Sequence, residues 1–141
     1  MSGEPPPLPK PRTGRSRAGV LLQIGLVVAL GLLSRRFPLP GILAEHTGDA
    51  LYAVAAYFAT AFVFPAASRP ALVCAAFGFS AAVEFSQMLS WPWLRDLRAT
   101  RPGALLLGQG FQRADLVAYA IGAVLAGLGD RWRPHRDEPA P

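Results

Sequence analysis

Residues 71–89 read ALVCAAFGFSAAVEFSQML, an apolar run of bilayer length that holds one acid, Glu84, with Gln87 one helical turn further on. Crossing the hydrocarbon takes about 20 apolar residues as helix, and an acid near its centre costs roughly 2.5–3.5 kcal/mol on insertion scales. Glu84 therefore marks a functional or inter-helix site. The i, i+3 spacing puts Glu84 and Gln87 on one face, toward the same neighbouring helix or the same ligand.

Outward from this run, the chain of 141 residues is 52% hydrophobic and 16% charged, with its apolar residues gathered in blocks rather than amphipathic stripes. Blocks indicate lipid rather than a core shielded from water. Four have helical length, at about 18–34, 49–67, 71–90 and 115–129. The first is short and gains length if Arg17 and Arg35 snorkel to the headgroups. Trp91-Pro92-Trp93 closes the third with an interfacial aromatic belt. Residues 104–107, Ala-Leu-Leu-Leu, are too few to cross and read as an interfacial or re-entrant segment. The expected fold is an all-α membrane protein, a bundle of four transmembrane helices over 18–129, flanked by disordered, proline-rich tails at 1–17 and 130–141. A basic front before an apolar run also suits a signal peptide, but only Ala29-x-Gly31 offers a weak cleavage pattern.

Four spans put both tails on one side. The formal charge of +5 rests on 13 arginines and Lys10. A basic end beside an apolar span faces anionic cytoplasmic lipid, which points to the bacterial inner membrane with both termini cytoplasmic and makes nucleic acid a poor partner. Lys10, Arg12, Arg15, Arg17, Arg69, Arg131, Arg133 and Arg136 then lie inside, and Arg35, Arg36, Arg95, Arg98, Arg101 and Arg113 outside. Six arginines on the face that normally avoids them need a reason of their own.

Thr47-Gly48-Asp49 is N-cap chemistry for the second span, and Asp49 and Asp115 both open helices, where a carboxylate satisfies orphan N–H groups and the macrodipole. With Glu84 they place three acids in the outer half of the bundle, level with Arg35, Arg36, Arg98 and Arg113. Charges near hydrocarbon are costly alone, so a mixed layer reads as a network of ion pairs. On the fourth span Asp115, Ala118, Tyr119, Gly122 and Ala126 share a face whose Ala-x-x-x-Gly-x-x-x-Ala pattern suits close packing, and Gly78-x-x-x-Ala82 offers the same on the third. Cys74, the single cysteine, reads as a small packing residue. Gly108 and Gly110 fit either a turn or a backbone nest for an anion. His46 beside Glu45 reads as a solvated loop pair, and His135 is isolated. No nucleophile elbow and no metal-ligand spacing occur, so no metal or cofactor is expected and Glu84 is the only candidate acid or base.

The order Arg35, then Gly48-Asp49-Ala50-Leu51-Tyr52, then Glu84-Phe85-Ser86-Gln87 resembles the uncharacterised bacterial membrane family called domain of unknown function 2809. Residues 93–100, 107–111 and 115–122 resemble the family's later blocks, so that the likeness runs from about Ala18 to Gly129. More distantly, Glu84, Gln87, Arg98 and Asp115 are similar in layout to VanZ-like proteins, with Tyr119 where an Asn is expected. VanZ-like proteins are linked to glycopeptide resistance, so this resemblance implies an envelope setting rather than a reaction. Neither family supplies catalytic residues.

The expectation from these residues is a protein that binds an anionic lipid headgroup or envelope precursor near the outer face. Arg98, with Arg35 or Arg113, would grip phosphate or carboxylate by forked hydrogen bonds. Glu84 and Gln87 would form the polar wall, Asp49 and Asp115 would orient the arginines, and Tyr119 would point its hydroxyl inward. Two rivals stay open: an enzyme on a lipid-linked substrate with Glu84 as general acid or base, and a structural protein whose charges lock the bundle or dock a membrane partner or a second copy. Ion or proton transport also fits a lone intramembrane Glu, but four short helices leave it little room.

Overall fold

The computed structural model describes residues 14–37, 40–108 and 110–130. Among them all regular structure is helical: α1 (Arg17–Arg36), α2 (Ile42–Val63), α3 (Arg69–Ser86), α4 (Pro92–Ala99), α5 (Arg101–Leu107) and α6 (Arg113–Gly129). α2 is central and packs on α1, α3 and α6, while α3 also packs on α6; α4 and α5 make a short corner between α3 and α6. α1 touches the bundle through α2. Among the described residues it is the one helix long and apolar enough to cross a membrane. α3 carries Arg69 and Glu84 within its 18 residues, and α6 has 17 residues.

Local signals explain where these helices begin. Ser16, Ser68 and Thr100 cap α1, α3 and α5 by accepting from the N–H groups of Gly19, Ala71 and Gly103. Pro70, Pro92 and Pro102 sit in the first turns of α3, α4 and α5, where a missing N–H costs nothing. α2 departs from expectation. It starts at Ile42, directly after Gly41 at φ 66°, so Thr47-Gly48-Asp49 lies inside the helix and caps nothing. The start of an apolar block is a poor guide here, because Leu43, Ala44 and Glu45 are good helix formers that extend α2 beyond it.

α3 also stops early, at Ser86 rather than residue 90. Met88 and Leu89 donate to the carbonyls three residues back, tightening the chain before Pro92. The Arg98 guanidinium then caps this end, reaching the Leu89 carbonyl at 3.3 Å and Ser86 Oγ at 3.1 Å. Trp91 and Trp93 are exposed, with ring centroids 5.9 Å apart, and belong to the start of α4 rather than the end of α3. Residues 104–107 form the second half of α5.

The core is built from small residues. Leu72, Ala76, Ser80 and Glu84 form a strict i+4 stripe on α3 and face Ala53, Tyr57 and Ala61 of α2 and Ala118, Gly122 and Ala126 of α6 in the buried interior. Gly122 is where α6 comes closest to α2: a Cβ there would overlap the carbonyl of Ala50. The second small-residue pattern does not pack, since Gly78 and Ala82 are exposed and nothing lies near Gly78. Cys74 is exposed as well, off the buried stripe by two residues. Large apolar side chains lie on the outside instead, with Leu22 of α1 and Leu128 of α6 each 75% exposed.

The two ends of the described chain meet at one end of the bundle. Arg15 was expected in a disordered tail, yet it is buried, with its Nε 2.8 Å and Nη2 2.7 Å from Asp130 Oδ2. Its Nη1 donates to the carbonyls of Pro65 and Ala67, and the Tyr57 hydroxyl donates to Asp130 at 2.8 Å. Carbonyls left over at the end of α2 and the burial of Asp130 explain why these positions leave the tails. The rest of both tails, 1–13 and 131–141, lies outside the described residues. Asp130→Asn keeps the shape but leaves the buried Arg15 guanidinium without its counter-charge, so its expected cost is about 3 kcal/mol, read as a lower thermal midpoint.

Candidate functional site

Glu84 is fully buried at the opposite end of the bundle. Its Oε1 accepts from the backbone N–H of Gln112 at 2.7 Å, and its Oε2 accepts from Gln87 Nε2 at 2.9 Å and from the Tyr119 hydroxyl at 3.1 Å. Gln112 is the N-cap of α6 and has no side-chain cap of its own. Glu84 thus serves an orphan donor at the positive end of α6 from across the helix interface. The i, i+3 spacing that places Glu84 and Gln87 on one face also lets them bond to each other.

Gln87 leans on the chain between α5 and α6. Gly108 has φ 65°, and a Cβ there would overlap Gln87 Nε2, so glycine is required both for the turn and for the approach. An anion nest at Gly108 and Gly110 would need Gln109, which lies outside the described residues. Tyr52 donates to the Leu106 carbonyl at 2.8 Å, fastening α5 against α2.

Asp115 is the third residue of α6 and is buried, as a first-turn acid at the macrodipole. His46 faces it, Nδ1 to Oδ1 at 3.5 Å. The solvated loop pair is therefore corrected: His46 lies on α2 with its side chain 24% exposed, one turn before Asp49. The candidate metal-ligand atoms of His46, Asp49 and Asp115 all lie within 4.8 Å of one another. The sequence signal was His46-x-x-Asp49 at helical spacing, hidden because α2 was expected to begin at 49.

A cavity of about 180 Å³ opens between α1, α2 and α5. Val28, Leu32, Leu51, Leu105 and Leu106 supply its apolar wall; Arg35, Asp49, Tyr52, Gln87 and Tyr119 supply its polar part. Five of the expected site residues thus meet on one wall: Arg35, Asp49, Gln87 and Tyr119 directly, with Glu84 bonded to the last two. Asp115 joins them through His46. Arg98 and Arg113 do not line the cavity: Arg98 is turned to the end of α3, and Arg113 is exposed at the start of α6. Sequence reasoning missed Tyr52 and the apolar wall, because both depend on how α1 and α5 lie against α2.

A family model described as Protein of unknown function (DUF2809) matches residues 38–123. The chain belongs to this family. The match spans α2 to most of α6, and so takes in Glu84 with all three of its donors and the His46–Asp49–Asp115 cluster. α1 and Arg35 lie before it. No solved structure matches the chain.

Proposed function

We propose that this is an integral membrane protein of the bacterial cell envelope, with α1, α2, α3 and α6 crossing the inner membrane, that binds an anionic amphiphile in the cavity between α1, α2 and α5. The membrane setting draws on the inverted distribution of side chains. Ala, Gly and Ser are packed inside while Leu and Phe face outward, the reverse of a water-soluble protein and the pattern of helices that associate in lipid. Residues 15 and 130 lie at one end of the bundle, in keeping with an even number of crossings. The VanZ-like layout of Glu84, Gln87, Arg98 and Asp115 adds the envelope setting.

The observation that carries the binding reading is the composition of the cavity, apolar for most of its wall with Arg35 among a few polar groups. Arg35 takes over the role expected of Arg98. Its guanidinium suits a phosphate or carboxylate headgroup, and the leucines and valines suit an acyl or prenyl chain. In mild detergent, native mass spectrometry is expected to find a lipid carried through purification, and Arg35→Ala to lower its occupancy about tenfold. No specific lipid, or an unchanged profile in the variant, sinks the reading.

A second reading has its own support in Glu84. Both carboxylate oxygens are engaged and none of the side chain is exposed, which favours a locking role over proton transfer to a substrate. The two readings are compatible, with Glu84 holding the wall that Gln87 and Tyr119 present to the cavity.

A further inference from the structure

We infer that His46, Asp49 and Asp115 form a site for one divalent transition-metal cation of the Zn²⁺ or Mn²⁺ class. The donors come from two elements held together by the close approach of α6 to α2 at Gly122. His46 and Asp49 occupy successive turns of α2, and Asp115 projects from the first turn of α6, seven residues before Gly122. All three ligand atoms lie within 4.8 Å of one another.

The His46–Asp115 separation of 3.5 Å is long for an N–H···O hydrogen bond. It lies just above the spacing of two donors on a shared ion, since metal–ligand bonds of about 2.0–2.2 Å place neighbouring donors roughly 3.0–3.4 Å apart. His46 Nδ1 is shielded from water, and its contact with Asp115 Oδ1 at 3.5 Å is longer than an ordinary hydrogen bond, so directing its lone pair at an ion between the two gives up little. Charge points the same way. Glu84, Asp49 and Asp115 are close enough to repel one another, and the donors that hold Glu84 are neutral. Arg35 is the one permanent cation that acts on Asp49 among the described residues. A divalent ion between two carboxylates removes most of that repulsion.

The donor set narrows the metal. Two carboxylates without imidazole would favour Mg²⁺ or Ca²⁺, and thiolates would favour softer ions; one imidazole with two carboxylates suits Zn²⁺, Mn²⁺ or Fe²⁺. Three protein ligands leave open coordination positions. Asp49 also lines the cavity, so a bound ion stands beside the space that Arg35 faces.

The test uses tag-free, full-length protein in detergent, stripped with EDTA and dialysed against Zn²⁺ or Mn²⁺, with Mg²⁺ in parallel. Metal analysis is expected to find one Zn²⁺ or Mn²⁺ per chain, with Mg²⁺ bound more weakly. His46→Ala removes a side chain that is 24% exposed, places a good helix former on α2, and is expected to weaken binding at least about tenfold. Asp115→Asn should do the same. Co²⁺ gives a second readout, a visible ligand-field band that His46→Ala abolishes. Sub-stoichiometric uptake by the wild-type protein, or equal binding by His46→Ala, overturns the assignment. Arg35→Ala, which tests the amphiphile reading, is expected to keep the metal, so failure of either proposal is distinguishable from failure of the other.

Discussion

Glu84→Leu is expected to cost roughly 3–5 kcal/mol and to leave little monodisperse protein after extraction into detergent. The substitution suits the apolar run and the helical conformation of α3. Its damage is tertiary. Gln87 Nε2, the Tyr119 hydroxyl and the Gln112 N–H all lose their acceptor, and each buried donor left unsatisfied costs about 1–3 kcal/mol. Glu84→Gln keeps an acceptor oxygen and roughly the same volume, so about 1–2 kcal/mol is expected. Thermal unfolding followed by size-exclusion chromatography separates the two. A Glu84→Leu protein as stable as wild type would mean that the carboxylate does not hold α3 to α6.

Gly122→Ala is expected to be strongly damaging for a change of one methyl group. A Cβ at 122 would overlap the Ala50 carbonyl, which is backbone inside α2 and unable to turn away. α2 and α6 would have to separate, at a cost of about 1–3 kcal/mol or more, and Asp115 would move away from His46 and Asp49. Gly78→Ala provides the contrast. Nothing lies within 4 Å of its Cβ position, so the gain in helix propensity, up to about 1 kcal/mol, is expected to make it neutral or stabilising. Equal melting temperatures for the two variants would contradict the packing described for α2 against α6.

The two glycines show how much was legible beforehand. Gly78-x-x-x-Ala82 and Gly122-x-x-x-Ala126 are the same pattern in sequence, because both state only that one strip of a helix is narrow. Which strip is used depends on the neighbour. α3 buries the strip through Leu72, Ala76, Ser80 and Glu84, and that choice leaves Gly78 outside. The arginines divide in the same way. Six arginines between the apolar runs, Arg69 aside, are visible by counting, but Arg35 reaches the cavity because it ends α1, whereas Arg98 is drawn to the carbonyl of Leu89 by the early end of α3. Arg15 and Asp130 are 115 residues apart, and nothing local marks either as buried.

Sequence alone determined the helical class, the pairing of Glu84 and Gln87 on one side of α3, and the face shared by Asp115, Ala118, Tyr119, Gly122 and Ala126. Those follow from periodicity and from the cost of a charge in an apolar run, both local properties of the chain. Tertiary structure decided the partners of the polar residues: Glu84 with the start of α6, His46 with Asp115, and Arg35 with the cavity. Partners depend on which helix faces are turned together, and that is set by the summed packing of small residues along α2, α3 and α6 rather than by any one segment.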